Sequence, residues 1–167
     1  MSGSAAKGSG SGHASGFEGS GSGPANSSEA SSSEPVKRAT TRRRISSGGP
    51  WEARYGYSRA IVAGDMCHVS GTTDAGPDGH SLHPGDAAGQ ARAALGIIER
   101  ALVGAGFARA DVVRTRMYLT DPADAAAVGE VHGEWFRDVR PAATLVIVAA
   151  LIDPTLKVEI EVDARRT

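Results

Sequence analysis

The chain has 167 residues, 18 basic and 19 acidic, for a net charge of −1, a size that suits one domain with a core of its own. Its single cysteine, Cys67, excludes an internal disulfide framework, and no apolar run is long enough to cross a membrane, so a soluble cytoplasmic protein is expected. The near-balance of charge hides an asymmetry, because residues 1–49 carry +3 and the remainder −4; an acidic domain is a poor match for a phosphate backbone, so nucleic acid is not the expected partner.

Residues 1–34 hold 12 serines and 8 glycines. So little apolar surface cannot offset the entropy of ordering, and the stretch reads as a disordered linker, natural or an engineered extension. The basic run Lys37, Arg38, Arg42, Arg43 and Arg44 follows. It reads as the solvated end of the same tail rather than as an arm for a polyanion. The tail is thus expected over 1–49 and a single domain over 50–167.

Tyr57 to Ala63 is rich in strand formers, Gly64-Asp65 is a turn signal, and Met66 to Gly71 follows as a second strand, so a tight hairpin is expected. Residues 72–85 are rich in Gly, Asp, Pro and His and read as a loop. Asp86 stands as an N-cap before Ala87, Ala91, Ala94, Leu95, Ile98, Ala101 and Leu102, which recur at helical spacing up to Gly104 or Gly106. Asp111 to Leu119 is predicted as a third strand, with Val113, Thr115, Met117 and Leu119 on one face and Arg114, Arg116 and Tyr118 on the other. Asp121 opens a second helix that presents Val128, Val131, Trp135 and Phe136 inward and stops before Pro141. Thr144 to Leu151 is an unbroken apolar run, predicted as a strand buried on both faces. Leu156 to Val162 alternates, with Val158, Ile160 and Val162 on one face and Lys157, Glu159 and Glu161 on the other.

The order β-β-α-β-α-β-β predicts a two-layer α+β domain with two helices on one face of a mixed sheet. Helices cover only one face of a fully apolar strand. The other face must meet something too, most simply other subunits of a symmetric oligomer.

Three stretches in this order resemble the Rid family (reactive intermediate deaminases, YjgF-like). Gly56-Tyr57-Ser58-Arg59-Ala60 with Val69-Ser70-Gly71 resembles the family's opening hairpin, Asp111-Val112-Val113-Arg114-Thr115 through Asp121 its middle strand, and Arg140-Pro141-Ala142 with Val158-Glu159-Ile160-Glu161 its closing strands. The resemblance implies a chorismate-mutase-like fold and a homotrimer. It also implies a cleft between subunits where an imine or enamine of a 2-keto acid is hydrolysed; no cofactor or metal is expected. By the same resemblance Glu159 is the acid/base that handles water, Tyr57 orients the substrate, and the main chain at Ser70 and Gly71 binds it.

The chain departs from the family at the second helix, where Gly129 stands for a frequent asparagine. It departs again after Pro141-Ala142, where Ala143, followed by Thr144, replaces the arginine that holds the substrate carboxylate. Ile147 and Ala150 stand where the family often has Glu and Arg. Losing a bidentate guanidinium–carboxylate contact in a partly dry cleft costs on the order of 2–3 kcal/mol, about a hundredfold in affinity. Ordinary 2-iminobutanoate deamination is therefore not expected. Arg116, on the polar face of the middle strand, is the first candidate stand-in; Arg59 and Arg140, at a strand end and a helix end, are weaker ones. An ion-pair partner is the plain alternative for each.

Other constellations have plain readings. A lone strand cysteine such as Cys67 is a small buried apolar residue more often than a nucleophile. His68 reads as packed and hydrogen-bonded, and His132 as surface. Asp78, His80 and His83 share one loop without a regular scaffold to fix a metal's geometry. Two functions stay open: a Rid-type hydrolase of small imines, enamines or related metabolites, and a non-catalytic trimer that binds a small metabolite in the same cleft. A ribonuclease-like activity, ascribed to some relatives, would need the basic run to matter.

Overall fold

The computed structural model of the protein describes residues 42–166. The Gly- and Ser-rich stretch 1–34, with Lys37 and Arg38, lies outside them. Six strands, β1 (Arg42–Ile45), β2 (Ala60–Ala63), β3 (Met66–Thr72), β4 (Val112–Leu119), β5 (Ala142–Ile147) and β6 (Val158–Arg165), form one sheet in the order β1-β2-β3-β6-β4-β5. Neighbours are antiparallel except β4 and β5, which are parallel. Three helices, α1 (Pro50–Tyr55), α2 (Ala87–Gly104) and α3 (Ala125–Trp135), complete an α+β domain.

The apolar stripe of α2 is buried as its spacing predicts, with Ala91 and Ala94 at 0% exposure and Leu95, Ile98 and Leu102 nearly so. Small alanines let this helix lie close to the sheet. Asp86 caps it, its carboxylate accepting from the Gly89 amide at 2.8 Å. The facing side of the sheet supplies Val69, Met117, Leu119, Val158, Ile160 and Val162, all buried. Val128, Val131 and Phe136 are buried at α3, with Trp135 partly so. The opposite face of the sheet, which we call the open face, carries the polar residues of the same strands. Among the described residues no helix is long and apolar enough to cross a membrane.

Four expectations are corrected. Composition assigned Arg42–Arg44 to the tail, yet they sit in β1, paired to β2 from Arg42↔Ala63 to Ile45↔Ala60. Three consecutive arginines hide the alternation: Arg43 turns to the helix side and donates to the carbonyls of Gly104 and Ala105 at the end of α2, while Arg42 and Arg44 turn to the open face. Next, the six-residue α1, too short to show helical periodicity, precedes a hairpin whose first strand begins at Ala60 rather than Tyr57. Val113 is 44% exposed rather than buried, because the β4–β6 register shifts between Val112 and Arg114 and turns Val112 inward instead. Finally, the apolar run from Thr144 is an edge strand that ends at Ile147, with Val146 40% and Ile147 46% exposed. Apolar composition reports that a surface is to be covered, not that the same chain covers it.

The loop between β3 and α2 is tied down by Gln90, whose side chain is fully buried. It donates to Ser81 Oγ at 2.8 Å and the Thr155 carbonyl at 2.9 Å, and accepts from the Lys157 amide at 2.7 Å. His83 pairs with buried Asp74 and His80 with Asp153, both at 3.0 Å. The loop histidines thus meet separate carboxylates rather than converging.

Candidate active site

The first wall of the site is built by the segment from β1 to β2. Glu52, on α1, is 7% exposed and accepts from the Ser47 amide at 2.8 Å and the Ser47 hydroxyl at 2.6 Å. Burial pushes its carboxyl pKa up, but the hydrogen bonds from Ser46 and Ser47 outweigh it and hold the group below the ordinary value. Gly56 then ends α1 with φ +70°, a left-handed turn that favours glycine. That turn aims Tyr57 over the open face, its amide donating to the Glu52 carbonyl at 3.1 Å. Tyr57 and Ser70 line one groove of about 780 Å³ with Arg42, Arg44 and Glu52.

The floor is a bulge in β3. The β3–β6 ladder pairs Val69 with Val162 and next Thr72 with Ile160, so Ser70 and Gly71 together face one residue of β6. Arg59 braces the bulge, its Nη1 donating to the Gly71 carbonyl at 3.0 Å and Thr72 Oγ1 at 2.7 Å. Its guanidinium also lies 5.9 Å from the Tyr57 ring centre, and its Nε is buried with no hydrogen-bond partner among the described residues. Ser70 Oγ donates to the Ser58 carbonyl at 2.8 Å. The carboxyl of Glu159 lies across Gly71, in space that any side chain at 71 would need. Burial, and then the neighbouring Glu161 charge, push the Glu159 pKa up, against a smaller pull from Arg59.

Tyr57, Ser70, Gly71 and Glu159 are therefore all brought to the open face, near one bulge. Arg116 shares that face, but its Nη1 donates to Glu161 at 2.6 Å and to Asp163 at 3.4 Å. Two carboxylates occupy it, which is the ion-pair alternative rather than a free cation. Tyr118, opposite Glu159 in the β4–β6 register, adds a phenol whose pKa is raised by burial and by Glu161. Thr144, opposite Arg116, continues the row onto β5. His68 bonds Asp163 at 2.7 Å, and Cys67 is fully buried with its thiol pKa raised by that burial.

Ala143 and Gly129 lie elsewhere. Ala143 is opposite Thr115 in the parallel β4–β5 register and so shares the helix side of the sheet. A side chain at Gly129 would meet nothing within 4 Å. What does stand beside the Ala143 register is a hydrogen bond of 2.9 Å between His132 Nε2 and the hydroxyl of Thr115, itself 0% exposed. His132 is half-buried, not a surface residue, and that burial lowers its pKa. The sequence held the signal, since 128, 131, 132 and 135 are the i, i+3, i+4 and i+7 positions of the inward face of α3.

A family model described as endoribonuclease L-PSP matches residues 50–166. The chain belongs to this family, also called YjgF or Rid. Among solved Rid-family structures, one from Mycobacterium tuberculosis is 47% identical, with a TM-score of 0.69 over 75% of this chain and 100% of that one. An uncharacterised Streptomyces coelicolor protein is 41% identical over 125 residues, 74% of this chain and 92% of its own. The 3-aminoacrylate deaminase RutC of Acinetobacter baylyi is 36% identical over 104 residues, 62% of this chain and 82% of its own. The bulge with its overlying glutamate thus sits on a Rid-family sheet.

Proposed function

We propose that this Rid-family protein is a cytoplasmic hydrolase of small imines, enamines or related metabolites, acting at clefts between the subunits of a homotrimer. The observation that carries the reading is Glu159, a part-buried carboxyl with a raised pKa, resting on the backbone of the Ser70–Gly71 bulge. A carboxyl tuned upward from its ordinary range is a stronger base once ionised, which suits it to take a proton from water. In its ionised form Glu159 takes a proton from water as the water oxygen bonds to the C=N carbon. The same proton then passes to nitrogen to give a carbinolamine. Glu159 next takes the hydroxyl proton and hands it to the amino group, so that the C–N bond breaks and ammonia leaves as the carbonyl forms; an enamine first tautomerises to the imine. Tyr57 orients the substrate and the main chain at Ser70 and Gly71 holds it. Arg116 serves this cleft by holding Glu161 and Asp163 in position rather than by gripping substrate.

Two features support a cleft shared between copies. Exposed Val146 and Ile147 give β5 an apolar edge that water does not favour. Ala143 turns to the helix side of β5 while Glu159 lies on the open face of β6, so a single chain does not bring the two together. The row Glu159, Glu161 and Asp163 on the open face favours a small metabolite over a phosphate backbone, despite the name of the family model. With Ala143 in place of a clamp, 2-iminobutanoate is expected to be a poor substrate. The relative named as a 3-aminoacrylate deaminase supplies the second substrate to try. The test is ammonia release from each freshly generated compound, with Glu159→Ala as control. A ligand that raises the melting temperature without turnover would favour the non-catalytic trimer instead.

A further inference from the structure

The end of α3 carries a second polar site that the open-face cluster does not use. A pocket of about 280 Å³ is lined by His132, Gly133, Phe136, Arg137 and Arg140. Neither Arg137 nor Arg140 has a carboxylate within ion-pair distance among the described residues. Arg140 Nε donates to the Arg137 carbonyl at 3.3 Å, which fixes its stem and leaves its terminal nitrogens for a ligand. The imidazole of His132 is held on one side by Thr115 at 2.9 Å and on the other by the Phe136 ring, 4.9 Å between centres.

The backbone adds an independent observation. Arg140 has φ +50°, and among the described residues it is the one non-glycine with positive φ. An L side chain is disfavoured there, and glycine would be at ease. Such outliers persist where the side chain has work to do. Here the turn sends the Arg140 guanidinium back to the pocket beside His132 instead of onward along β5.

We propose that this pocket is an anion site for a small carboxylate, with Arg140 and Arg137 supplying the positive charge and His132 a hydrogen bond to a neighbouring carbonyl or hydroxyl. Two unpaired guanidinia provide charge-assisted donors, and the Phe136 ring fills the apolar side of a ligand of a few carbons. The pocket lies on the helix side of β4 and β5, the side on which Thr115 pairs with Ala143 in register.

Binding is measured apart from turnover, so a failed ammonia assay leaves it standing. The full chain is titrated with pyruvate by calorimetry while the His132 ring resonances are followed by NMR. Saturable binding with a shift confined to His132 among the histidines is expected. Arg140→Gly removes the guanidinium and relieves the strained backbone, so affinity falls by about tenfold or more while the melting temperature holds or rises. Arg140→Lys keeps part of the affinity. No saturable binding of pyruvate to the wild type overturns the proposal, and so does unchanged affinity in Arg140→Gly. A His132 ring that does not respond to saturating pyruvate removes His132 from the site.

Discussion

The Glu159 carboxyl lies beside Gly71, filling the space a side chain there would take. The group in conflict is the far end of a flexible side chain, so Gly71→Ala is accommodated by turning the carboxyl away rather than by moving the sheet. Stability is expected to change by no more than about 1 kcal/mol. Turnover is expected to fall as far as in Glu159→Ala. Thermal melts beside an ammonia-release assay check both halves; a Gly71→Ala protein with full activity would detach Glu159's position from its role.

Glu159 also makes a pH prediction with a definite sign. Its folded pKa lies above the ordinary 4.5 because of burial and the charge of Glu161. The folded state therefore holds this proton more tightly than the unfolded chain, and the group loses stability as pH rises from its unfolded pKa toward its folded one. Glu159→Gln should melt higher than the wild type at neutral pH. The two melting curves should converge as pH falls below 4.5.

Arg59 ties the bulge together through the Gly71 carbonyl and Thr72 Oγ1. Arg59→Met keeps the apolar stem and leaves those acceptors without their donor. The expected cost is about 1.5–3 kcal/mol, the range for hydrogen bonds to a charged group, read from denaturant melts.

Much of this architecture was legible in the sequence because periodicity reports burial directly. The stripe from Ala87 to Leu102 and the alternation from Val158 to Val162 are buried as their spacing predicts. The misreadings have local causes. Arg42–Arg44 lack alternation because both faces of β1 use arginine. Val113 is exposed because a bulge adds a residue that a two-residue period does not anticipate. Arg116 sits on the expected face, but spacing could not show that Glu161 and Asp163 already engage it. The polarity of His132 suggests the surface, but its place directly after buried Val131 puts it on the inward face of α3.

The apolar edge of β5 predicts assembly. Light scattering at micromolar concentration is expected to give the mass of a trimer. Val146→Glu introduces a charge into a face that is 40% exposed in the single chain, and should shift the mass toward the monomer without unfolding it. A monomeric wild type would remove the shared cleft.

The central claim is that Glu159 drives hydrolysis of a small imine or enamine at the Ser70–Gly71 bulge. Ammonia release measures it most directly, from freshly generated 3-aminoacrylate and 2-iminobutanoate with wild type and Glu159→Ala side by side. The account predicts release above the buffer rate from at least one of them, abolished by the substitution, with 2-iminobutanoate a poor substrate for want of a clamp at Ala143. Release no faster than buffer from both compounds, or an undiminished rate in Glu159→Ala, would contradict it.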